Sequence, residues 1–208
     1  MKSILKFPFS VLSALLVAAL LAGCSKGPQI SPLGANDVVL AFGDSLTFGT
    51  GAAPAESYPA QLQVLIGRKV VNAGVPGEIS ADGLHRLPAA LEEHQPRVLI
   101  LCHGGNDFLR KQSESAAAAN VRAMIRLAKD KGIGVVLIAT PKPGFSISPP
   151  DFYAELAKEF VIPFNDDALK SILRDNDLKS DLVHPNAKGY SQIAEMLAKL
   201  LKKSGAIS

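Results

Sequence analysis

Val38-Val39-Leu40-Ala41-Phe42-Gly43-Asp44-Ser45-Leu46-Thr47 sets five consecutive apolar residues ahead of a glycine, an aspartate and a serine. An apolar run this short, rich in Val and stopped by Gly, has the pattern of a β-strand buried on both faces, as in a parallel sheet. Open parallel sheets bind ligands in the crevice past the carboxyl ends of their strands, so a hydroxyl carried there is placed for chemistry. Ser45 is therefore a candidate nucleophile. The same residues also suit a plain strand-to-helix turn with Asp44 or Ser45 as N-cap.

Outward from this strand the pattern repeats. Tyr58 to Ile66 carries Leu62, Leu65 and Ile66 at helical spacing and closes at Gly67. A second strand is predicted over Lys69 to Ala73, then a loop from Gly74 to Glu78. A helix begins near Ser80 with Leu84, Leu87 and Leu91 on one face and Pro88 as a candidate kink. Arg97 to Cys102 is a third buried strand, Ser115 to Lys131 an amphipathic helix, and Gly134 to Ala139 a fourth strand. Thr140 to Pro150 holds four prolines and reads as an irregular loop. Asp151 to Phe160 is helical, Val161 to Phe164 a weak fifth strand, Asn165 to Asp181 a helix and a loop, and Asn186 to Lys203 a closing helix. Strands alternating with helices imply right-handed crossovers, hence an α/β fold of three layers, αβα, around a five-stranded parallel sheet. The flavodoxin-like order 2-1-3-4-5 would put the loops after Phe42 and after Cys102 on either side of one crevice.

Of the 208 residues 48% are hydrophobic and 20% charged, one globular domain plus something apolar at an end. Lys2 and Lys6 precede an apolar core from Val11 to Leu21, as in a signal peptide over residues 1–23. Leu21-Ala22-Gly23-Cys24 resembles the bacterial lipobox, in which the cysteine becomes the lipid-bearing first residue of the mature chain; an ordinary cleaved signal with an incidental cysteine is the alternative. Without residues 1–23 the chain keeps 20 basic against 19 acidic side chains, so its charge does not point to a nucleic-acid partner. With Cys24 lipidated, Cys102 is the one thiol left, and its place in VLILC suggests a buried, inert side chain. Residues 24–37 read as the lipidated cysteine and a flexible tether reaching on the order of 40 Å, residues 38–203 as the globular domain and 204–208 as a tail.

Serine-dependent ester hydrolysis needs a base, a group that orients it, and donors aimed at the oxyanion. Asp181-Leu182-Val183-His184 puts a carboxylate three residues before an imidazole, a spacing that lets it accept from Nδ1 and leaves Nε2 for Ser45. Gly104-Gly105-Asn106-Asp107, straight after a buried strand, offers a side-chain amide at the crevice. The loop Asn72-Ala73-Gly74-Val75-Pro76-Gly77-Glu78 could turn a backbone N–H toward an anion. Each of these also has a plain reading as a turn, a cap or a solvated pair. The chain shows no metal-ligand cluster of recognisable spacing.

The G-x-S-x-G elbow of α/β-hydrolases is absent, because Thr47 stands two residues after Ser45. GDSL, a glycine after strand two, GGND and D-x-x-H together resemble the four blocks of the SGNH, or GDSL, hydrolase family, in order across nearly all of Val38 to Lys203. The resemblance is closest to bacterial periplasmic members with thioesterase, lysophospholipase and arylesterase activity, through VVNA, GLxRLP and GGNDxLR. It implies Ser45 as nucleophile and oxyanion donor, Gly77 rather than Gly74 as backbone donor, Asn106 as side-chain donor, His184 as base and Asp181 as its orienter. It implies no cofactor, a small acyl-ester or lysolipid substrate and, with Cys24, a membrane partner at the cell envelope. Cys102 and His103 depart from the usual residues before GGND, so His103 is a candidate substrate contact or a half-buried strand-end residue. Phe145 and Ile147 are candidate acyl contacts or pins of their loop. An O-acetyl esterase of envelope glycans, and a binding lipoprotein that has lost catalysis, are the alternative functions.

Overall fold

The computed structural model describes residues 27–144 and 147–208, so the signal segment 1–23, Cys24 and Phe145 lie outside the described residues. Five strands form one parallel sheet: β1 (Val38–Gly43), β2 (Lys69–Gly74), β3 (Val98–Cys102), β4 (Gly134–Ile138) and β5 (Phe164–Asn165), in the order β2-β1-β3-β4-β5. The α/β fold and the strand order are those expected from the sequence. β1 lies between β2 and β3, with Gly43 opposite Gly74 on one side and Cys102 on the other. All three strands therefore end at one level, where the chain turns into the crevice loops.

The unbroken apolar runs follow from a sheet covered twice. Leu40, Phe42, Leu99, Leu101, Val135 and Leu137 face the layer built from α3 (Ser80–His94), α5 (Glu114–Asp130) and α6 (Phe152–Phe160). The alternate residues Val39, Ala41, Val98, Ile100, Val136 and Ile138 face α2 (Tyr58–Ile66), α7 (Ala168–Arg174) and α8 (Ala187–Lys203). Two short helices, α1 (Ser45–Phe48) and α4 (Gly105–Leu109), follow β1 and β3 directly at the crevice. In α2 the stripe Tyr58, Leu62, Ile66 is buried at intervals of four, which turns Leu65 outward at 52% exposure, contrary to the inward place its spacing suggests. Pro88 does not end α3, which runs through to His94.

Three boundaries differ from the sequence reading. Val161 ends α6 in the left-handed region at φ 50° and Pro163 has no N–H, so the fifth strand is displaced to Phe164–Asn165. The 140–150 loop is less irregular than its prolines suggest, since Lys142 N donates to Ser148 O at 3.0 Å in an antiparallel bridge. Most of all, the tether and tail are partly domain. Ile30 and Leu33 are buried, Ile30 N donates to Ser204 O (2.9 Å), Leu33 N donates to Ala206 O (2.8 Å), and Ala206 is fully covered. Two isolated apolar residues among Gly, Pro and Ser carry no periodicity, which is why composition hides this packing. Ile30 lies over Gly134, the first residue of β4, so this segment sits at the amino ends of the strands, opposite the crevice.

Candidate active site

Ser45 opens α1 immediately past β1, and Asp44 caps that helix, its Oδ1 accepting from Leu46 N at 3.0 Å. The capping role and the crevice role thus coexist on adjacent residues. Ser45 Oγ lies 3.0 Å from His184 Nε2, and His184 Nδ1 lies 2.8 Å from Asp181 Oδ2. A carboxylate at Nδ1 makes that nitrogen the proton carrier, leaving Nε2 as the acceptor for the serine proton. Asp181 Oδ1 accepts from Val183 N (2.8 Å) and His184 N (2.9 Å), so one carboxylate both shapes the turn and orients the ring. Partial burial pushes the Asp181 carboxyl up, but the N–H of Val183 and the His184 side chain and N–H outweigh it and hold the group below its ordinary value. Ser180 N donating to His184 O (2.9 Å), beside a Lys179–Pro185 bridge, closes the loop that presents the imidazole.

The donor loop follows β2. Glu78 N donates to Val75 O at 3.2 Å, and Gly77 has φ 78°, so Val75-Pro76-Gly77-Glu78 is a type II turn with Pro and Gly at its two central positions. Such a turn leaves the Gly77 N–H outside its own hydrogen bond, and among the described residues neither it nor the Ser45 N–H donates to a protein acceptor. Gly74 N is spent on Asn72 Oδ1 at 3.0 Å, which favours Gly77 over Gly74 as the donor.

GGND divides its labour. Asn106 Nδ2 donates to Glu78 O (3.0 Å) and Asp44 Oδ2 (3.2 Å) and faces the crevice. Asp107 is buried instead: its carboxylate accepts from Ser80 N (2.8 Å) and Ser80 Oγ (2.6 Å), capping α3 from across the fold rather than the helix that follows it in sequence.

Ser45, Gly77, Asn106 and His184 border one cavity of about 670 Å³, whose apolar wall includes Leu109, Pro141, Ile147, Leu173, Leu182 and Val183. Ile147 lines this cavity. His103 does not. It is fully buried, its Nε2 3.0 Å from Glu78 Oε2, and it takes no part in the cavity, because the end of β3 turns it under α3 rather than toward the crevice. Cys102 is buried too, and burial pushes its thiol far up, consistent with an inert side chain. Asp44, inside GDSL, and Glu78, directly after Gly77, belong to the site although the sequence reading gives neither a role there. Asp44 lines the cavity with a fully buried carboxyl that burial pushes up, partly offset by the Leu46 N–H. Its place inside GDSL, next to Ser45, is the sequence signal.

A base, its orienter, a hydroxyl and three N–H groups thus meet at one crevice, an arrangement able to deprotonate the hydroxyl and stabilise an oxyanion. Residues 41–192 match the model of the GDSL-like lipase/acylhydrolase family. Thioesterase 1/protease 1/lysophospholipase L1 of Escherichia coli K12 is 32% identical over 176 residues, 81% of this chain and 85% of that protein. Arylesterase of Vibrio mimicus is 29% identical over 180 residues, 81% of this chain and 90% of that protein. The crystal structure of esterase EstA from Pseudoalteromonas sp. superposes with a TM-score of 0.71 at 22% identity, covering 81% of this chain and 98% of that one, a likeness of fold.

Proposed function

This chain belongs to the GDSL-like lipase/acylhydrolase family, the SGNH hydrolases, and from that membership we propose that it cleaves carboxylic esters at Ser45 through an acyl-enzyme. The observation that carries the reading is the unbroken line Asp181–His184–Ser45, at 2.8 and 3.0 Å, beside the Ser45 and Gly77 N–H groups, which have no acceptor among the described residues. Ser45 Oγ attacks the ester carbonyl carbon while His184 Nε2 takes its proton. The carbonyl oxygen, now an anion, accepts from Ser45 N–H, Gly77 N–H and Asn106 Nδ2. Asn106 keeps one amide hydrogen on Glu78 O and turns the other, the 3.2 Å bond to Asp44, to the substrate. As the intermediate collapses His184 returns the proton to the leaving alcohol. Water then gives its proton to His184 and attacks the acyl-serine, releasing the acid and restoring the hydroxyl. Asp181, held ionised, offsets the charge on the imidazolium. No cofactor is needed for these steps.

A cavity of about 670 Å³ walled by Leu109, Ile147, Leu173 and Leu182 offers far more room than an acetyl group fills. That favours esters of a single longer acyl chain, lysophospholipids and thioesters among them, over acetylated glycans. A fluorophosphonate is expected to add once, at Ser45, by intact-mass and peptide analysis, and p-nitrophenyl esters to be cleaved faster as the acyl chain grows beyond acetate. Folded protein that stays unlabelled would overturn the reading; acetate as the best substrate would transfer it to O-acetyl esters.

The cell envelope is the location we propose, with residues 1–23 removed and lipid on Cys24, supported by the lipobox-like Leu21-Ala22-Gly23-Cys24. Cys24→Ser is expected to move the protein from the membrane to the soluble fraction, and unchanged partitioning rules the anchor out without touching the chemistry.

A further inference from the structure

Behind the crevice, on the α3 side of the sheet, Glu78, Arg86 and His103 form a cluster whose side chains the steps above do not use. Arg86 grips the Glu78 carboxylate with both arms, Nε to Oε1 at 2.8 Å and Nη2 to Oε2 at 2.7 Å, and His103 Nε2 meets Oε2 at 3.0 Å. Arg86 Nη2 also donates to Ala73 O (3.1 Å), and its guanidinium lies 4.1 Å from the centre of the Phe42 ring. Thus one cation ties the donor loop to β2 and to the end of β1.

The histidine has a defined tautomer. Gly104 N donates to His103 Nδ1 at 3.1 Å, so Nδ1 is an acceptor and the ring hydrogen sits on Nε2, aimed at Glu78. The ring cannot drift. Gly83 of α3 approaches so closely that a Cβ there would come within 2.3 Å of Nε2, and Tyr153 OH donates to His103 O at 2.7 Å. His103 is fully buried and Glu78 only 8% exposed. Burial alone would raise the Glu78 carboxyl, but its bonds to Arg86 and His103 outweigh that and hold it at about 2, so it stays ionised.

The backbone of Glu78 is what this clamp holds still. Its N–H closes the turn that presents Gly77, and its carbonyl accepts the Asn106 amide. We propose that His103 is a positioning residue: with Arg86 it locks Glu78, and through Glu78 it sets two of the three oxyanion donors, Gly77 N–H and Asn106 Nδ2, relative to Ser45. The inference rests on the ester-hydrolase reading. A buried ion cluster is weak as a source of stability and better suited to fixing one geometry among several. A donor displaced by a fraction of an ångström loses much of its effect in the transition state while ground-state binding in the apolar cavity is unaltered.

The test compares His103→Leu, His103→Gln and Glu78→Gln in the full chain, with Ser45→Ala as control, on a short p-nitrophenyl ester. His103→Leu is expected to lower kcat by roughly tenfold to a hundredfold with KM within about twofold. His103→Gln, which keeps a donor toward Glu78, should recover most of that loss. A folded His103→Leu enzyme with wild-type kcat overturns the proposal, as does a loss that His103→Gln leaves unrepaired. If His103→Leu fails to fold, Glu78→Gln, which keeps shape but removes the charge, is expected to show the same fall in kcat, and a wild-type kcat there overturns the proposal equally. Activity surviving in Ser45→Ala would instead sink the hydrolase reading itself, so the two failures are distinct.

Discussion

Ser45→Ala is expected to lower kcat for ester hydrolysis by about 10⁵- to 10⁶-fold, and His184→Ala by nearly as much. The two side chains act as one unit across 139 residues of sequence: the hydroxyl is inert without a base, and the base has nothing to deprotonate without the hydroxyl. Their double variant should therefore be no slower than either alone. Asp181→Ala should cost less, about 10⁴-fold, since the ring keeps its base function and loses its orientation and charge partner. Its exposed carboxylate also holds the Val183 and His184 amides, so part of that loss comes from a loosened turn. Steady-state rates above the uncatalysed background decide the matter. Multiplicative losses in the double variant, or a Ser45→Ala enzyme within a hundredfold of wild type, contradict the assignment.

Asn106→Ala is expected to reduce kcat by about 10²- to 10³-fold, some 2.7 to 4 kcal/mol of barrier, with KM little changed. Its two amide hydrogens go to Glu78 O and Asp44 Oδ2, and alanine strips both acceptors of that donor. The Asp44 carboxyl is buried, so a stability loss of about 1 to 3 kcal/mol should accompany the kinetic effect. Kinetics at a temperature where the variant is fully folded separate the two. A kcat within threefold of wild type would remove Asn106 from the oxyanion site.

Residues whose role is written in local pattern are readable from the chain alone. VVLAFG and VLILC are apolar at nearly every step because both faces of their strands are covered, and that property alone places them at the sheet centre. Ser45, Asn106 and His184 each sit just past a strand or before a helix, so topology brings them together. The Gly77 register is legible only through the family resemblance of the loop Asn72 to Glu78, and the turn at Pro76-Gly77 supplies its physical reason. What stays hidden depends on pairs distant in sequence. His103 looks the same in the chain whether it faces substrate or Glu78, and only the packing of α3 over the end of β3 decides. Asp107 follows Asn106 yet caps a helix 27 residues earlier. Ile30 and Leu33 find their partners in Ser204 and Ala206, at the far terminus.

If the proposed lipid anchor at Cys24 holds, that last pairing would set which way the enzyme looks. Only residues 25–29 separate Cys24 from the packed body, a leash of about 17 Å at full stretch, and it leaves from the edge where strands begin. A globule of this size is on the order of 40 Å across. Given lipid at Cys24, the catalytic mouth would therefore point away from its own bilayer, out of reach of lipids in the leaflet that holds it. Its natural clients would be esters that diffuse through the surrounding aqueous space or hang from structures facing that membrane.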